Sequence, residues 1–106
     1  MKFSPTILPL VFTLAATAAA SAQNPEQRGR AVVAEFCARC HAMGKTGKSP
    51  HPDAPPLRTL GRSFDLDQFP RLLERGISSG HPDMPEFKLS LDDAMAVSAY
   101  LRTIQE

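Results

Sequence analysis

Apolar residues recur at helical spacing near the C-terminus of the chain. Four of them stand at positions i, i+3, i+4 and i+7 of one segment: Val97, Tyr100, Leu101 and Ile104. Such spacing places them on one face of a helix. Ser90 precedes this stripe and Asp93 stands three residues later, which predicts a helix start with a capping box. The pattern therefore predicts a C-terminal helix that buries one apolar face.

A second helix is predicted near residue 24. Asn24 can cap it, Pro25 suits the first helical position, and Gln27 completes a capping-box-like pattern. Apolar side chains then recur from residue 31 to residue 36 and lead into Cys37. We expect this helix to end at that cysteine.

The segment between these helices has a different composition. From Gly44 to Gly61 it contains four prolines and three glycines, which predicts irregular structure. A short helix is predicted after Asp67, with Pro70 in its first turn and Gly76 as its C-cap. No strand-like alternation is long enough to predict a sheet. The sequence thus predicts an all-α fold with long loops.

The first 22 residues have the features of a secretory signal peptide. Lys2 is the one charged residue before Glu26, and the segment from Ile7 to Ala20 is largely apolar. Ala20-Ser21-Ala22 fits the small-residue cleavage pattern. An uncleaved membrane anchor is the alternative, but the apolar run is shorter than the ~20 residues that span a bilayer. We expect a signal peptide at residues 1–22 and one domain at residues 23–106.

Charge excludes some classes of partner. The formal net charge of the whole chain is +1, and loss of residues 1–22 with Lys2 leaves eleven basic and eleven acidic side chains. No basic field favours nucleic acid, and no run of charge favours a membrane surface. A domain this small gains little from its core alone, so a covalent link or a cofactor is expected to stabilise it.

The pentapeptide CARCH, from Cys37 to His41, has the spacing of covalent haem attachment. Each of its two thiols can add to a haem vinyl group, and the adjacent histidine can ligate the iron. A disulfide between Cys37 and Cys40 would close too short a loop to stabilise the fold. Thiol exchange is less favoured because no βαβ pattern surrounds the motif, and a zinc site would need further ligands.

With these residues in view, the chain from Gly29 to the last helix resembles the class I c-type cytochromes. Gly29 stands where that family has a glycine at the crossing of its first and last helices. The sequence APPL, residues 54–57, resembles the family's Gly-Pro-x-Leu, with alanine in place of glycine. The sequence MPEF, residues 84–87, resembles its Met-Pro-x-Phe. The resemblance implies one covalent haem c per chain and crossing terminal helices around it.

The resemblance also implies that Met84 is the sixth iron ligand, opposite His41. Five residues could supply that ligand: Met43, His51, His81, Met84 and Met95. Met84 stands in a proline-flanked loop, whereas Met95 lies on the last helix and is expected to pack in the core. His81 is the alternative ligand, because imidazole suits iron; otherwise it and His51 are expected to be loop residues.

The remaining expectations concern the surroundings of the haem. The resemblance assigns the Pro55 carbonyl as acceptor for the second ring nitrogen of His41. Six residues are expected to form the apolar wall: Leu57, Phe64, Phe69, Leu73, Ile77 and Phe87. Arg58 and Arg62 are either partners of the haem propionates or solvated side chains. The two HPD tripeptides lack the setting of J-domain co-chaperones, which have that motif between basic helices.

These features predict a monomeric, periplasmic one-electron carrier that is not an enzyme and is not inserted in the membrane. Its cofactor-binding residues are Cys37, Cys40, His41 and Met84, of which His41 and Met84 ligate the metal. Its partners are redox proteins that bind briefly through a small interface. The alternatives are a subunit of a larger periplasmic oxidoreductase, a gas-binding or peroxidatic haem protein, and a haem-free thiol protein.

Overall fold

The computed structural model describes residues 1–14 and 23–106. Within these ranges the elements are α1 (Pro25–Phe36), a 3-10 helix (Leu57–Arg62), α2 (Phe69–Arg75) and α3 (Leu91–Ile104). The same ranges contain no strand, and Ile77 and Phe87 form one isolated antiparallel bridge. The predicted all-α fold with long loops is confirmed.

Helix α1 begins with the predicted capping box. The Gln27 N–H donates to Asn24 Oδ1 at 2.8 Å, and the Asn24 N–H donates to Gln27 Oε1 at 3.4 Å. Pro25 occupies the first turn, where its missing N–H has no intrahelical acceptor to lose. These bonds fix the start of the helix that delivers Cys37.

Helix α3 begins as predicted at Ser90, but its capping box is half formed. Ser90 Oγ accepts a hydrogen bond from the Asp93 N–H at 3.1 Å. The Asp93 carboxylate lies 2.6 Å from the Arg28 guanidinium instead of returning to the cap backbone. This ion pair ties the start of α3 to α1, a long-range contact that the local sequence pattern does not contain.

Gly29 lies where α1 meets α3. An added Cβ at Gly29 would lie 1.9 Å from the Ala96 carbonyl oxygen and 3.0 Å from Tyr100 Cβ. No side chain fits in that gap, so glycine allows the two helix backbones to touch. The predicted crossing of the first and last helices is confirmed.

Nine residues form the buried core between the helices: Val33, Leu57, Phe69, Leu73, Ala94, Val97, Tyr100, Leu101 and Ile104. The four residues of the predicted C-terminal stripe are all among them. The prediction that Met95 packs in the core is wrong, because its side chain is 55% exposed. Residues two apart on a helix differ by about 200° in direction, so Met95 faces away from Val97.

The middle of the chain is partly more regular than predicted. Helix α2 ends as expected at Gly76, where φ is 109°. The 3-10 helix, however, begins inside the segment that was expected to be irregular. The C-terminal residues hold it: Gln105 Oε1 accepts from the Gly61 N–H at 2.8 Å, and the Glu106 N–H donates to the Arg58 carbonyl at 3.0 Å.

Residues 1–14 are exposed and contain no helix. Over the two described ranges, every helix is too short or too polar to cross a bilayer. The predicted cleavage site at Ala20-Ser21-Ala22 lies outside the described residues.

Candidate functional site

The CARCH residues form a tight turn at the end of α1. Cys37 caps the helix, and its N–H donates to the Val33 carbonyl at 2.8 Å. The N–H groups of Cys40 and His41 both donate to the Cys37 carbonyl, at 3.2 Å and 3.0 Å. Because Cys40 and His41 both bond to the Cys37 carbonyl, the two thiols and the imidazole all emerge from a single turn.

The two thiols are free and half-buried. Desolvation by burial raises the pKa of the Cys37 thiol to about 11. At neutral pH this thiol is protonated, whereas thiol-exchange proteins depend on a thiolate. The burial of Cys37 therefore disfavours a role for this thiol in haem-free thiol exchange.

His41 is oriented by the backbone of the next loop. Its Nδ1 lies 2.6 Å from the Pro55 carbonyl oxygen. Because a carbonyl only accepts, Nδ1 carries the hydrogen, and Nε2 keeps a lone pair free for a metal. The contact expected between His41 and Pro55 is present.

Further hydrogen bonds fix the chain after the motif. The Ala42 N–H donates to Ser49 Oγ at 2.9 Å, and the Ala42 carbonyl accepts from the Leu57 N–H at 2.9 Å. The buried Tyr100 hydroxyl donates to the Met43 carbonyl, which connects this loop to α3. These bonds bring the segment with Pro55 beside the CARCH turn.

Met84 lies in the loop between Ile77 and Phe87, which is closed by two backbone bonds of 2.9 Å and 3.2 Å between those residues. Met84 itself is half-buried, and its N–H donates to the His81 carbonyl at 3.1 Å. The Phe87 ring packs edge-on against Phe36 at the end of α1, with ring centroids 6.2 Å apart. The base of this loop is thus anchored close to the CARCH turn.

The two HPD tripeptides connect the loops. The His51 N–H donates to the Cys40 carbonyl at 3.1 Å, and His51 Nε2 lies 3.0 Å from Asp83 Oδ2, beside Met84. His81 Nε2 lies 3.4 Å from Asp53 Oδ2 in the opposite direction. The expectation that both histidines are plain loop residues is therefore incomplete. The sequence shows the repeated tripeptide, but it does not indicate which of the histidines and aspartates contact each other.

Most of the predicted apolar wall is buried or half-buried. Leu57, Phe69 and Leu73 belong to the core, and Ile77 and Phe87 are half-buried. Phe64 is 36% exposed and has its ring centroid 5.5 Å from that of Phe69. The predicted wall thus divides into three core residues, two residues at the base of the Met84 loop, and Phe64, which is more exposed.

The two arginines near this wall pair with the C-terminal residue. Arg58 Nε lies 3.3 Å from one Glu106 oxygen, and an Arg62 nitrogen lies 3.1 Å from the other. Arg58 also donates to the Gly47 carbonyl at 2.9 Å. Glu106 is a partner that neither expectation for these arginines, propionate contact or plain solvation, had included.

Comparison with protein families identifies the chain. The sequence model of the family described as cytochrome C oxidase, cbb3-type, subunit III, matches residues 24–101. The chain belongs to this family. Comparisons with curated proteins and with solved structures find no significant match.

As a member of this family, the protein is a c-type cytochrome with a covalently bound haem c and a role in electron transfer. The residues present fit that group. Two free thiols and an imidazole with a free Nε2 emerge from one turn, and Cys37 packs against the apolar core. Domains of this type are typically extracytoplasmic, and redox proteins are their partners.

Proposed function

We propose that this cytochrome is a periplasmic one-electron carrier whose mature domain comprises residues 23–106. The hydrogen bond from His41 to the Pro55 carbonyl carries the proposal, because it holds an imidazole with Nε2 free to bind iron. Haem c supplies the one-electron couple of its iron when bound. The small-residue cleavage pattern before Gln23 and a family match that begins at residue 24 support the domain boundary and export.

In this proposal four side chains bind the cofactor. Cys37 and Cys40 form the two thioether bonds, and His41 is one axial ligand. Met84 is the other axial ligand, because it is half-buried in a loop that is tied to the CARCH segment through His51. With both axial positions filled by the protein, no substrate needs to bind there, which favours electron transfer over catalysis.

The same side chains are expected to raise the redox potential of the haem. A thioether ligand favours ferrous iron relative to a second imidazole and therefore raises the potential. The apolar side chains of Leu57, Phe69 and Leu73 add to this effect, because they disfavour an extra positive charge. We expect the protein to act as a monomer that meets redox partners through a small, short-lived interface.

A second candidate function follows from the family description, which names a subunit of an oxidase. The domain would then transfer electrons within a larger periplasmic oxidoreductase complex. Co-purification of the tagged protein with a large partner at stoichiometric amounts would favour the complex. Elution of the mature protein as a free monomer from the same cells would favour the soluble carrier.

A visible spectrum of the mature protein, made together with haem-maturation machinery, tests the proposal. Covalent haem with a weak sulfur-to-iron band in the oxidised protein is the expected result. Mass spectrometry of the exported protein should show a chain that begins at Gln23. A spectrum without the sulfur band would contradict methionine ligation, and a retained N-terminus would contradict the proposed boundary.

A further inference from the structure

The HPD tripeptides at residues 51–53 and 81–83 adopt the same local structure. In each, the histidine Nδ1 accepts a hydrogen bond from the aspartate N–H two residues later, at 3.1 Å for His51 and 3.2 Å for His81. An Nδ1 that accepts a bond carries no hydrogen, so the ring hydrogen is on Nε2. Each tripeptide therefore presents one Nε2–H donor and one carboxylate.

The two tripeptides satisfy each other. His51 Nε2–H donates to Asp83 Oδ2 at 3.0 Å, and His81 Nε2 lies 3.4 Å from Asp53 Oδ2, a looser polar contact. The imidazole rings meet edge to face, with centroids 5.6 Å apart. We name these two histidines and two aspartates the HPD clasp. Within residues 1–14 and 23–106 no three histidine, cysteine or acidic side chains lie close enough to hold a metal ion. The clasp therefore consists of two separate histidine–aspartate pairs.

The clasp joins the loop of Met84 to the segment after CARCH. On one side, the His51 N–H is bonded to the Cys40 carbonyl at 3.1 Å. On the other side, the His81 carbonyl accepts the Met84 N–H at 3.1 Å. Among the described residues, the polar contacts that connect residues 78–86 to the rest of the chain are the two pairs of the clasp.

We propose that the HPD clasp is a positioning device which keeps the Met84 loop closed and so sets how readily an external ligand displaces the Met84 sulfur. This inference rests on the proposed ligation by Met84. An external ligand binds only when the loop is open, so its apparent affinity rises with the open fraction. Each pair holds the loop closed, and losing one increases that fraction.

The inference is tested by removing one pair through a substitution outside the Met84 loop. Asp53→Ala deletes the carboxylate that lies beside His81 Nε2 and leaves the sequence of the Met84 loop unchanged. Both side chains of this pair are substantially exposed, at 40% for His81 and 66% for Asp53. We therefore expect imidazole to bind the oxidised haem protein about two- to five-fold more tightly, the range typical of exposed pairs.

Three control variants make the result specific. Asp92→Ala removes the same charge from the exposed first turn of α3 and should leave imidazole affinity unchanged. Asp53→Asn keeps an acceptor oxygen for His81 and should restore most of the wild-type affinity. Asp53→Ala combined with His81→Ala should bind imidazole as His81→Ala alone does, because the Asp53 carboxylate then has no partner left to lose.

The sulfur-to-iron band separates failure of the clasp from failure of the ligand assignment. We expect the band in the resting spectrum of the Asp53→Ala variant, because the closed loop remains the major state. A retained band with unchanged imidazole affinity would overturn the clasp and leave Met84 as ligand. Absence of the band from the wild-type protein would overturn both proposals.

Discussion

Two single side chains, His41 and Met84, are the proposed ligands of the iron in this cytochrome. The Pro55 carbonyl fixes His41 through one hydrogen bond of 2.6 Å, and this contact follows from the resemblance to class I cytochromes. No hydrogen bond to the Met84 sulfur occurs among residues 1–14 and 23–106, and the half-buried position of Met84 depends on the loop that carries it. The two proposed ligands are therefore held by different means, one by a side-chain bond and the other by loop closure.

The substitution Met84→Ala tests the second ligand. It should leave His41 and both thioethers in place and open the other axial position. Water, hydroxide or a nearby side chain favours ferric iron more than a thioether does, so the redox potential should fall. Potentiometric titration measures that fall, and the reduced variant should bind carbon monoxide readily, as its visible spectrum would show.

His81→Ala is the matched control in the same loop. His81 lies three residues from Met84 and is the alternative ligand, but its Nδ1 already accepts the Asp83 N–H and its Nε2 faces Asp53. The His81 variant should therefore retain the sulfur-to-iron band. If the band survives in Met84→Ala, or disappears in His81→Ala, Met84 is not the ligand and His81 takes that role instead.

At the scale of elements, the fold depends on the contact of α1 with α3. The Ala96 carbonyl oxygen lies where a Cβ of residue 29 would be, at 1.9 Å. Arg28, next to Gly29, pairs with Asp93 and aligns the same two helices. Because α1 also delivers Cys37, a shift of this crossing would move the haem attachment turn.

Gly29→Ala should therefore destabilise the fold. The added methyl group must push two backbones apart, and overpacking of this kind costs ~1–3 kcal/mol in free energy of unfolding. Denaturant titration of the haem protein measures that loss. Gly44→Ala is the control, since among the described residues no atom beyond the two chain neighbours lies within 4 Å of a Cβ there. Equal stability of the two variants would show that the helices do not meet at Gly29.

The elements also show what the sequence could predict. Local signals predicted the caps of α1 and α2 and the buried stripe of α3, because these depend on neighbouring residues. The prediction that Met95 is buried is wrong, because Met95 lies on the face of α3 opposite to the buried stripe. The pairing of His51 with Asp83 joins residues that are 32 positions apart, and only the tertiary structure brings them together.

At the scale of the whole molecule, the helices enclose a small core. Val33 and Leu101 are its largest fully buried side chains, and much of the remaining chain is loop. A core of this size supplies little net stability after the entropy of ordering the chain is subtracted. The covalent haem would add a large apolar group to this small core, so we expect binding and folding to be coupled.

Loss of both thioether bonds tests this coupling. The double variant Cys37→Ala/Cys40→Ala, made with haem-maturation machinery, should retain little covalent haem. Its far-ultraviolet circular dichroism should show much less helix than the wild-type protein, and its thermal transition should lose cooperativity. Met84→Ala is the control, because it keeps both thioethers and should keep its helices. A haem-free double variant that melts cooperatively with full helicity would show that the protein core folds without the cofactor.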